Sequence, residues 1–209
     1  FLVKCNVITI NHNCLKSEFS ILYQMLGTDI SDLRKIGLSD VSDDEWTRNI
    51  YSVDASHFRA KPLAVCYPSD EHYVQQICTF ANHRSIPITC RGAGTGLLGQ
   101  SLSSGIILDF TKKMNKILEI EDDHVVVQPG VVKTVLDTEL AKRDKFIPPD
   151  PASSNYCTIG GMLSNNSSGP HGLGYGSIIN YVQAVSVVYG NGMLGFADQK
   201  NYDENIDKM

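Results

Sequence analysis

The sequence predicts a mixed body, α/β or α+β, in which a strand-helix-strand unit precedes a more antiparallel region. Three observations carry that reading. From residue 63 onward, apolar runs of strand length alternate with two stretches of helical periodicity. Clusters of Gly and Pro separate the runs at 91–101, 129–130 and 148–176. The last run, 181–189, places Val and Ala in near alternation and closes on Gly190-Asn191-Gly192, a hairpin turn signal.

Residues 1–59 read as a helical lead-in, because Phe19, Leu22, Tyr23 and Leu26 recur at helical spacing and Gly27 ends the run. Trp46, the single tryptophan, reads as a packing anchor. Composition shifts near Pro62, which places a boundary at about Arg59. Residues 63–66 form a short strand. A helix starts at 68–71, with Ser69 as its cap and acids in its first turn; Val74, Ile77, Cys78 and Ala81 are its buried stripe. Strands follow at 86–90, 106–110, 116–120 and 125–127, the last ended by Pro129-Gly130. Val132, Val135, Leu136 and Leu140 mark a second helix.

Composition narrows the function. A chain of 209 residues can bury a core in one or two domains, and 42% hydrophobic with 20% charged residues is the balance of a globular protein. The net charge of −5 leaves no basic footprint for nucleic acid. No apolar run approaches the ~20 residues of a membrane helix. The start, Phe1-Leu2-Val3-Lys4-Cys5, lacks the charged leader of a signal peptide, and the missing Met reads as the mark of a fragment or a processed chain. Six cysteines, at 5, 14, 66, 78, 90 and 157, form no C-x-x-C pair and so signal neither a zinc site nor a redox dithiol. Cys66, Cys78 and Cys90 sit in apolar runs as small core residues, which points to a reducing compartment.

The stretch Arg91-Gly92-Ala93-Gly94-Thr95-Gly96-Leu97-Leu98-Gly99-Gln100-Ser101 follows an apolar strand and is rich in glycine. Glycine lets backbone approach a ligand closely, and a row of backbone N–H groups forms a nest for an anion. The reading is a pyrophosphate cradle; its alternative is a tight strand connection that binds nothing. Gly94-Thr95-Gly96-Leu97-Leu98-Gly99 fits G-x-G-x-x-G, but a Rossmann unit needs a helix directly after the loop. Residues 100–105, rich in Ser and ending in Gly, leave too little room for one before the strand at Ile106. No Gly-Lys-Ser or Gly-Lys-Thr follows, so it is no P-loop either. Such a loop holds phosphate by amides and hydroxyls, without a helix dipole.

The second glycine-rich segment, 148–176, reads as almost continuous loop, improbable in a compact domain unless functional. Its small, polar, backbone-rich content suits a wall against a flat conjugated ring. Ile159, Met162 and Leu163 give it something to bury, against the alternative of a disordered linker. His57 and His171 read as surface residues. Asp150, between prolines, either orients a cofactor N–H or caps a turn. Asp109 reads as a turn or salt-bridge residue.

In this order and spacing the motifs are specific. The chain resembles the flavoproteins of the vanillyl-alcohol oxidase and p-cresol methylhydroxylase type, and within them the FAD-linked oxidases acting on D-lactate, glycolate and related 2-hydroxy acids. The matching stretches are Tyr51-Ser52-x-Asp54-Ala55-Ser56, Pro62 with Val65, Pro68-Ser69, residues 91–102, Val127-Gln128-Pro129-Gly130-Val131, Pro149-Asp150-Pro151-Ala152-Ser153, Thr158-Ile159-Gly160-Gly161 and Tyr175-Gly176, which together cover about 50–192.

The resemblance implies an α+β, two-subdomain FAD-binding fold of the p-cresol methylhydroxylase type, truncated before the substrate cap domain. Residues 60–118 form the small subdomain with the pyrophosphate loop, residues 119–209 an incomplete larger one, and FAD lies between them. By motif position, Gly92, Ala93, Gly94, Thr95 and Gly96 hold the pyrophosphate, with Arg91, Gly99, Gln100 and Ser101 in the same set. Pro149, Asp150, Ser153, Thr158, Gly160, Gly161, Ser168 and Gly169 line the adenosine, linker or isoalloxazine side. Covalent relatives carry a His in the loop where this chain has Thr95, which implies dissociable, non-covalent FAD. The implied activity is oxidation of a small 2-hydroxy acid by hydride transfer to FAD. Its substrate-binding cap and an iron–sulfur part or other electron acceptor lie outside the 209 residues, so no catalytic residue and no metal ligand is assigned. The implied location is cytoplasmic, extending to peripheral association with the inner membrane. Two other readings stay open: a nucleotide-binding module without turnover, and another FAD enzyme of the same fold, an amino-sugar reductase or an ether-lipid synthase.

Overall fold

The computed structural model of the protein describes residues 2–10, 30–35 and 37–198. Two sheets organise them, each with its own core. The first follows the order β2 (Val41–Ser42), β3 (Ala64–Cys66), β5 (Ile106–Asp109), β4 (Ile88–Arg91). Strands β3 and β4 run parallel to β5, and β2 is antiparallel to β3. Short helices α1 (Ser31–Lys35) and α2 (Glu45–Ile50) precede β3.

Helix α3 (Glu71–His83) joins β3 to β4. Its cap is Asp70, whose carboxylate accepts the Tyr73 N–H at 2.8 Å; the expected cap, Ser69, donates its hydroxyl to Asp70 instead. The carboxylate wins because a charged acceptor binds a backbone N–H more strongly than a hydroxyl does. Val74, Ile77, Cys78 and Ala81 are all fully buried against the sheet. Ile77 alone contributes about 1.5–3 kcal/mol of transfer free energy. Trp46, on α2, is 75% exposed and anchors nothing within the described residues.

The second sheet follows the order β6 (Ile117–Ile120), β7 (His124–Val127), β1 (Leu2–Ile10), β8 (Val182–Tyr189), β9 (Leu194–Asp198). The expected helical lead-in is corrected here: residues 2–10 are the central strand, parallel to β7 and β8. The physical reason is local as well as topological. Val3, Val7, Ile8, Thr9 and Ile10 are β-branched, which favours strand over helix. The pattern at Phe19, Leu22, Tyr23 and Leu26 lies outside the described residues. Strands β8 and β9 form the expected hairpin. Gly192 in its turn, at φ +86°, sits against Thr79 of α3 and accepts from Gln75 through its carbonyl, while Val188 enters the first core. The hairpin thereby locks the second sheet to α3.

Helix α4 (Lys133–Ala141) follows β7. Leu136 and Leu140 are buried as expected, but Val135 is 55% exposed, and the third buried position is Lys133, paired with Asp137 one turn on. The 148–176 segment is less loop-like than its composition predicts. It contains α5 (Ile159–Ser164) and α6 (Gly172–Tyr175), followed by a 3-10 turn at Ile178–Tyr181. Glycines 160 and 161 cost the short helix α5 about 1 kcal/mol each in propensity. Three features offset this. Thr158 accepts the Gly161 N–H, Ile159 and Met162 are buried, and Asn166 at φ +46° ends the helix with Asn166 and Ser167 donating to the Leu163 and Met162 carbonyls. Residues 129–133 and 157–160 pair as a short ladder: Ile159 N–H donates to Val131, Gly160 N–H to Pro129 and Lys133 N–H to Cys157.

Candidate cofactor-binding cleft

A cleft of about 1170 Å³ opens between the two glycine-rich segments. Because β4 and β5 are parallel neighbours, residues 92–105 must double back along the sheet, with no helix to do so, and they form one wall. The β7–α4 turn and the start of α5 form the other. Of the residues expected to bind cofactor, Arg91, Gly92, Ala93, Gly94, Thr95, Gly96, Gln100 and Ser101 line the first wall, and Ser153, Thr158, Gly160 and Gly161 the second. The walls touch at one end. A Cβ on Gly92 would lie 2.4 Å from Thr158 Oγ1, and one on Gly160 would lie 2.7 Å from Pro129 Cβ, so neither position has room for a side chain.

The structure does not bring Pro149, Asp150, Ser168 and Gly169 into this lining; Asp150 and Gly169 instead form a knot with His171. His171 Nδ1 lies 2.6 Å from Asp150 Oδ2, and Gly169, at φ +127°, packs on the Asp150 backbone and carboxyl. His171 is thus the carboxylate's partner, which composition alone did not show. Gly99, at φ +74°, faces away toward Phe58. Sequence reasoning missed Cys157, Asn165 and Ser167, which also line the cleft. Cys157 is isolated in the sequence, so only the ladder with residues 131–133 reveals its place.

Behind the loop lies a polar network. The buried Asp109 carboxylate accepts Tyr51 Oη at 2.5 Å, Thr111 N at 2.7 Å and Thr111 Oγ1 at 2.6 Å. Burial and the Asp109 carboxylate both raise the Tyr51 pKa, so its hydroxyl remains a donor at neutral pH. Arg91 stacks over the Tyr51 ring at 5.1 Å and donates to the Val53 carbonyl at 2.9 Å. Its guanidinium is therefore engaged with the 51–53 backbone. Across the cleft mouth, Gln100 Nε2 donates to Asn165 Oδ1 at 3.3 Å while Gln100 Oε1 accepts the Leu98 N–H at 3.0 Å.

Residues 62–195 match the family described as FAD binding domain. The chain belongs to this family. Its cofactor is FAD, and the glycine-lined cleft fits it: the walls present backbone where side chains would obstruct a ligand. The FAD-binding chain is 35% identical over 175 residues to the glycolate oxidase subunit GlcD of Bacillus subtilis (strain 168), covering 80% of this chain and 37% of that protein. It is 36% identical over 156 residues to D-2-hydroxyglutarate dehydrogenase of Pseudomonas putida, covering 72% and 16%. The chain therefore spans well under half the length of these relatives. Among solved structures, Physcomitrella patens BBE-like 1 superposes with a TM-score of 0.72 at 19% identity, over 83% of this chain and 38% of that one. An alkyldihydroxyacetonephosphate synthase gives 0.69 at 20% identity, over 85% and 35%. These likenesses show the fold, the α+β FAD-binding fold of the p-cresol methylhydroxylase type. Among the described residues no helix is long and apolar enough to cross a membrane.

Proposed function

We propose that this chain is the FAD-binding part of a flavin-dependent oxidoreductase that oxidises a 2-hydroxy acid of the glycolate, D-lactate or D-2-hydroxyglutarate class. The observation that carries the reading is the cleft walled by both glycine-rich segments, one attached to each sheet. The names of the relatives at 35% and 36% identity support the substrate class. The part built on the first sheet, ending before β6, and the part built on the second sheet act as the two subdomains that flank the cofactor, so that the boundary falls before Ile117 and not within β6. Bound FAD supplies the hydride acceptor.

The chain's own residues bind, orient and exclude water. Backbone N–H groups of 92–96 hold the pyrophosphate, where glycines allow close approach. Thr158, Gly160 and Gly161, fixed by the ladder to 129–133, present a flat wall to the remainder of the cofactor. The knot of Asp150, His171 and Gly169 holds the far end of the second segment in shape. The substrate cap and the electron acceptor belong to parts of the protein beyond these residues, and a cytoplasmic location fits the reducing-compartment reading of the cysteines.

With Thr95 in the loop, FAD is held without a covalent bond. Protein loaded with FAD is expected to show the bands of bound oxidised flavin, and denaturation is expected to release all of it, leaving the polypeptide mass unchanged by mass spectrometry. A flavin adduct on the denatured chain would overturn the non-covalent assignment. Anaerobic addition of D-lactate, glycolate or D-2-hydroxyglutarate to the protein with its remaining domains is expected to bleach the flavin bands. Bound flavin that no 2-hydroxy acid reduces would instead leave a binding module without turnover.

The Gln100–Asn165 contact is proposed to clasp the cleft mouth. Gln100→Ala and Asn165→Ala are each expected to speed FAD release about three- to fivefold, with the double variant no faster than the faster single, as for one shared hydrogen bond. Additive effects in a stopped-flow release assay would show that the two residues act separately.

A further inference from the structure

The motif Tyr51-Ser52-Val53-Asp54-Ala55-Ser56 contributes no cleft-lining residue, yet it touches the glycine loop repeatedly. Residues 52–60 form a tight hairpin: Val53 bridges Arg59, the Ala60 N–H donates to the Ser52 carbonyl, and Arg59 Nε donates to Ser52 Oγ. The hairpin lies along the outer side of the loop. Arg91 donates to the Val53 carbonyl at 2.9 Å, Ala55 N–H to the Gly94 carbonyl at 3.0 Å and Ser101 Oγ to Asp54 Oδ2 at 2.8 Å; Phe58 packs under Gly99.

One of these bonds decides where an amide points. The described chain has no cis peptide, and in a trans peptide the C=O and the following N–H are directed oppositely. The Gly94 carbonyl is held outward on Ala55. The Thr95 N–H is therefore turned the other way, and Thr95 lines the cleft. Asp54 governs the Ala55 amide: its Oδ1 accepts the Ser56 N–H at 2.8 Å, closing a turn around Ala55, while its Oδ2 takes the Ser101 hydroxyl from the far side of the loop. The half-buried carboxylate thus ties the turn around Ala55 to the far side of the loop at Ser101.

We infer that Asp54 is a positioning residue for the anion-binding amides, acting through the 52–60 hairpin to aim the Thr95 N–H at the pyrophosphate. The inference deepens the FAD reading above and rests on it. Burial pushes the Asp54 carboxyl up, but the hydrogen bonds from Ser56 and Ser101 and the nearby Arg91 charge outweigh it and hold the group below the usual carboxylate range. It is an ionised acceptor at neutral pH.

The test measures FAD affinity by flavin fluorescence and follows the Thr95 backbone amide by NMR as ADP is added. In the wild-type protein FAD binds and the Thr95 amide shifts with ADP. Asp54→Ala is expected to weaken FAD about tenfold and to suppress the ADP-induced Thr95 shift. Asp54→Asn is expected to stay within about threefold of wild type, because its Oδ1 still accepts from Ser56 and its amide can donate to the Ser101 hydroxyl. A general loosening would lower the melting temperature without this rescue and without singling out Thr95. Wild-type FAD affinity and a wild-type Thr95 response in folded Asp54→Ala would overturn the inference alone. A wild-type protein that binds neither FAD nor ADP would overturn the cofactor reading and the inference together. Should Asp54→Ala not fold, Ser101→Ala removes one of the two bonds from the other side, and unchanged affinity and Thr95 response in that variant would equally overturn the inference.

Discussion

Gly94→Val is expected to abolish FAD retention while the protein stays folded. Gly94 has φ +69°, a region that a β-branched residue enters at a cost of about 1–3 kcal/mol. Its new Cβ would lie 2.7 Å from Arg91 Nη2. That guanidinium is not free to swing aside, because it is bonded to the Val53 carbonyl and stacked on Tyr51. The substitution must therefore either disturb the loop backbone or detach the 52–60 hairpin, and both outcomes turn the Thr95 amide. A penalty of about 3 kcal/mol corresponds to about a hundredfold loss of affinity. Flavin fluorescence titration measures it, with circular dichroism as the check on folding. A folded Gly94→Val that keeps wild-type affinity would place the pyrophosphate elsewhere.

Gly130→Ala is expected to destabilise the protein by about 3 kcal/mol, near the upper end for an overpacked site. An added Cβ would lie 2.1 Å from the Phe110 carbonyl oxygen and 2.7 Å from that of Met114. Both are backbone atoms, so no rotamer change relieves the contact. The Gly130 N–H also donates to the Met114 carbonyl at 2.8 Å, which fixes the turn between β7 and α4 against the segment that follows β5. For a chain of this size the loss lowers the melting temperature by about 6–12 °C. Gly174→Ala is the control: nothing lies within 4 Å of where its added methyl group would sit, and surface changes of that kind stay within about 0.5 kcal/mol. Equal melting temperatures for the two variants would refute the argument from backbone contact.

Much of the architecture from residue 63 onward is legible in the residues themselves. Strands β3 to β8, helices α3 and α4 and the β8–β9 hairpin announce themselves by period and by turn chemistry, because each is held by short-range preferences that agree with its burial. Errors fall where packing in the folded chain overrides the local signal. Lys133 is buried only because Asp137 pairs with it one turn on, while Val135 points outward. Trp46 is exposed although its composition class favours burial. Residues 2–10 carry the β-branched residues of a strand, but their central place is set by β7 and β8 on either side.

By itself the sequence determined the two glycine-rich segments and the missing crossover helix between β4 and β5. These are consequences of residue type and spacing. Only the tertiary structure decided which residues of the second segment face the cleft. Thr158, Gly160 and Gly161 do so because the ladder to 129–133 carries them there. Asp150 and Gly169 are withdrawn into a contact with each other and with His171. The tertiary structure likewise assigned Tyr51-Ser52-Val53-Asp54-Ala55-Ser56 its place behind the loop. A hydrogen bond between residues 55 and 94, or 54 and 101, leaves no trace in local pattern, because its partners are brought together only by the folded sheet.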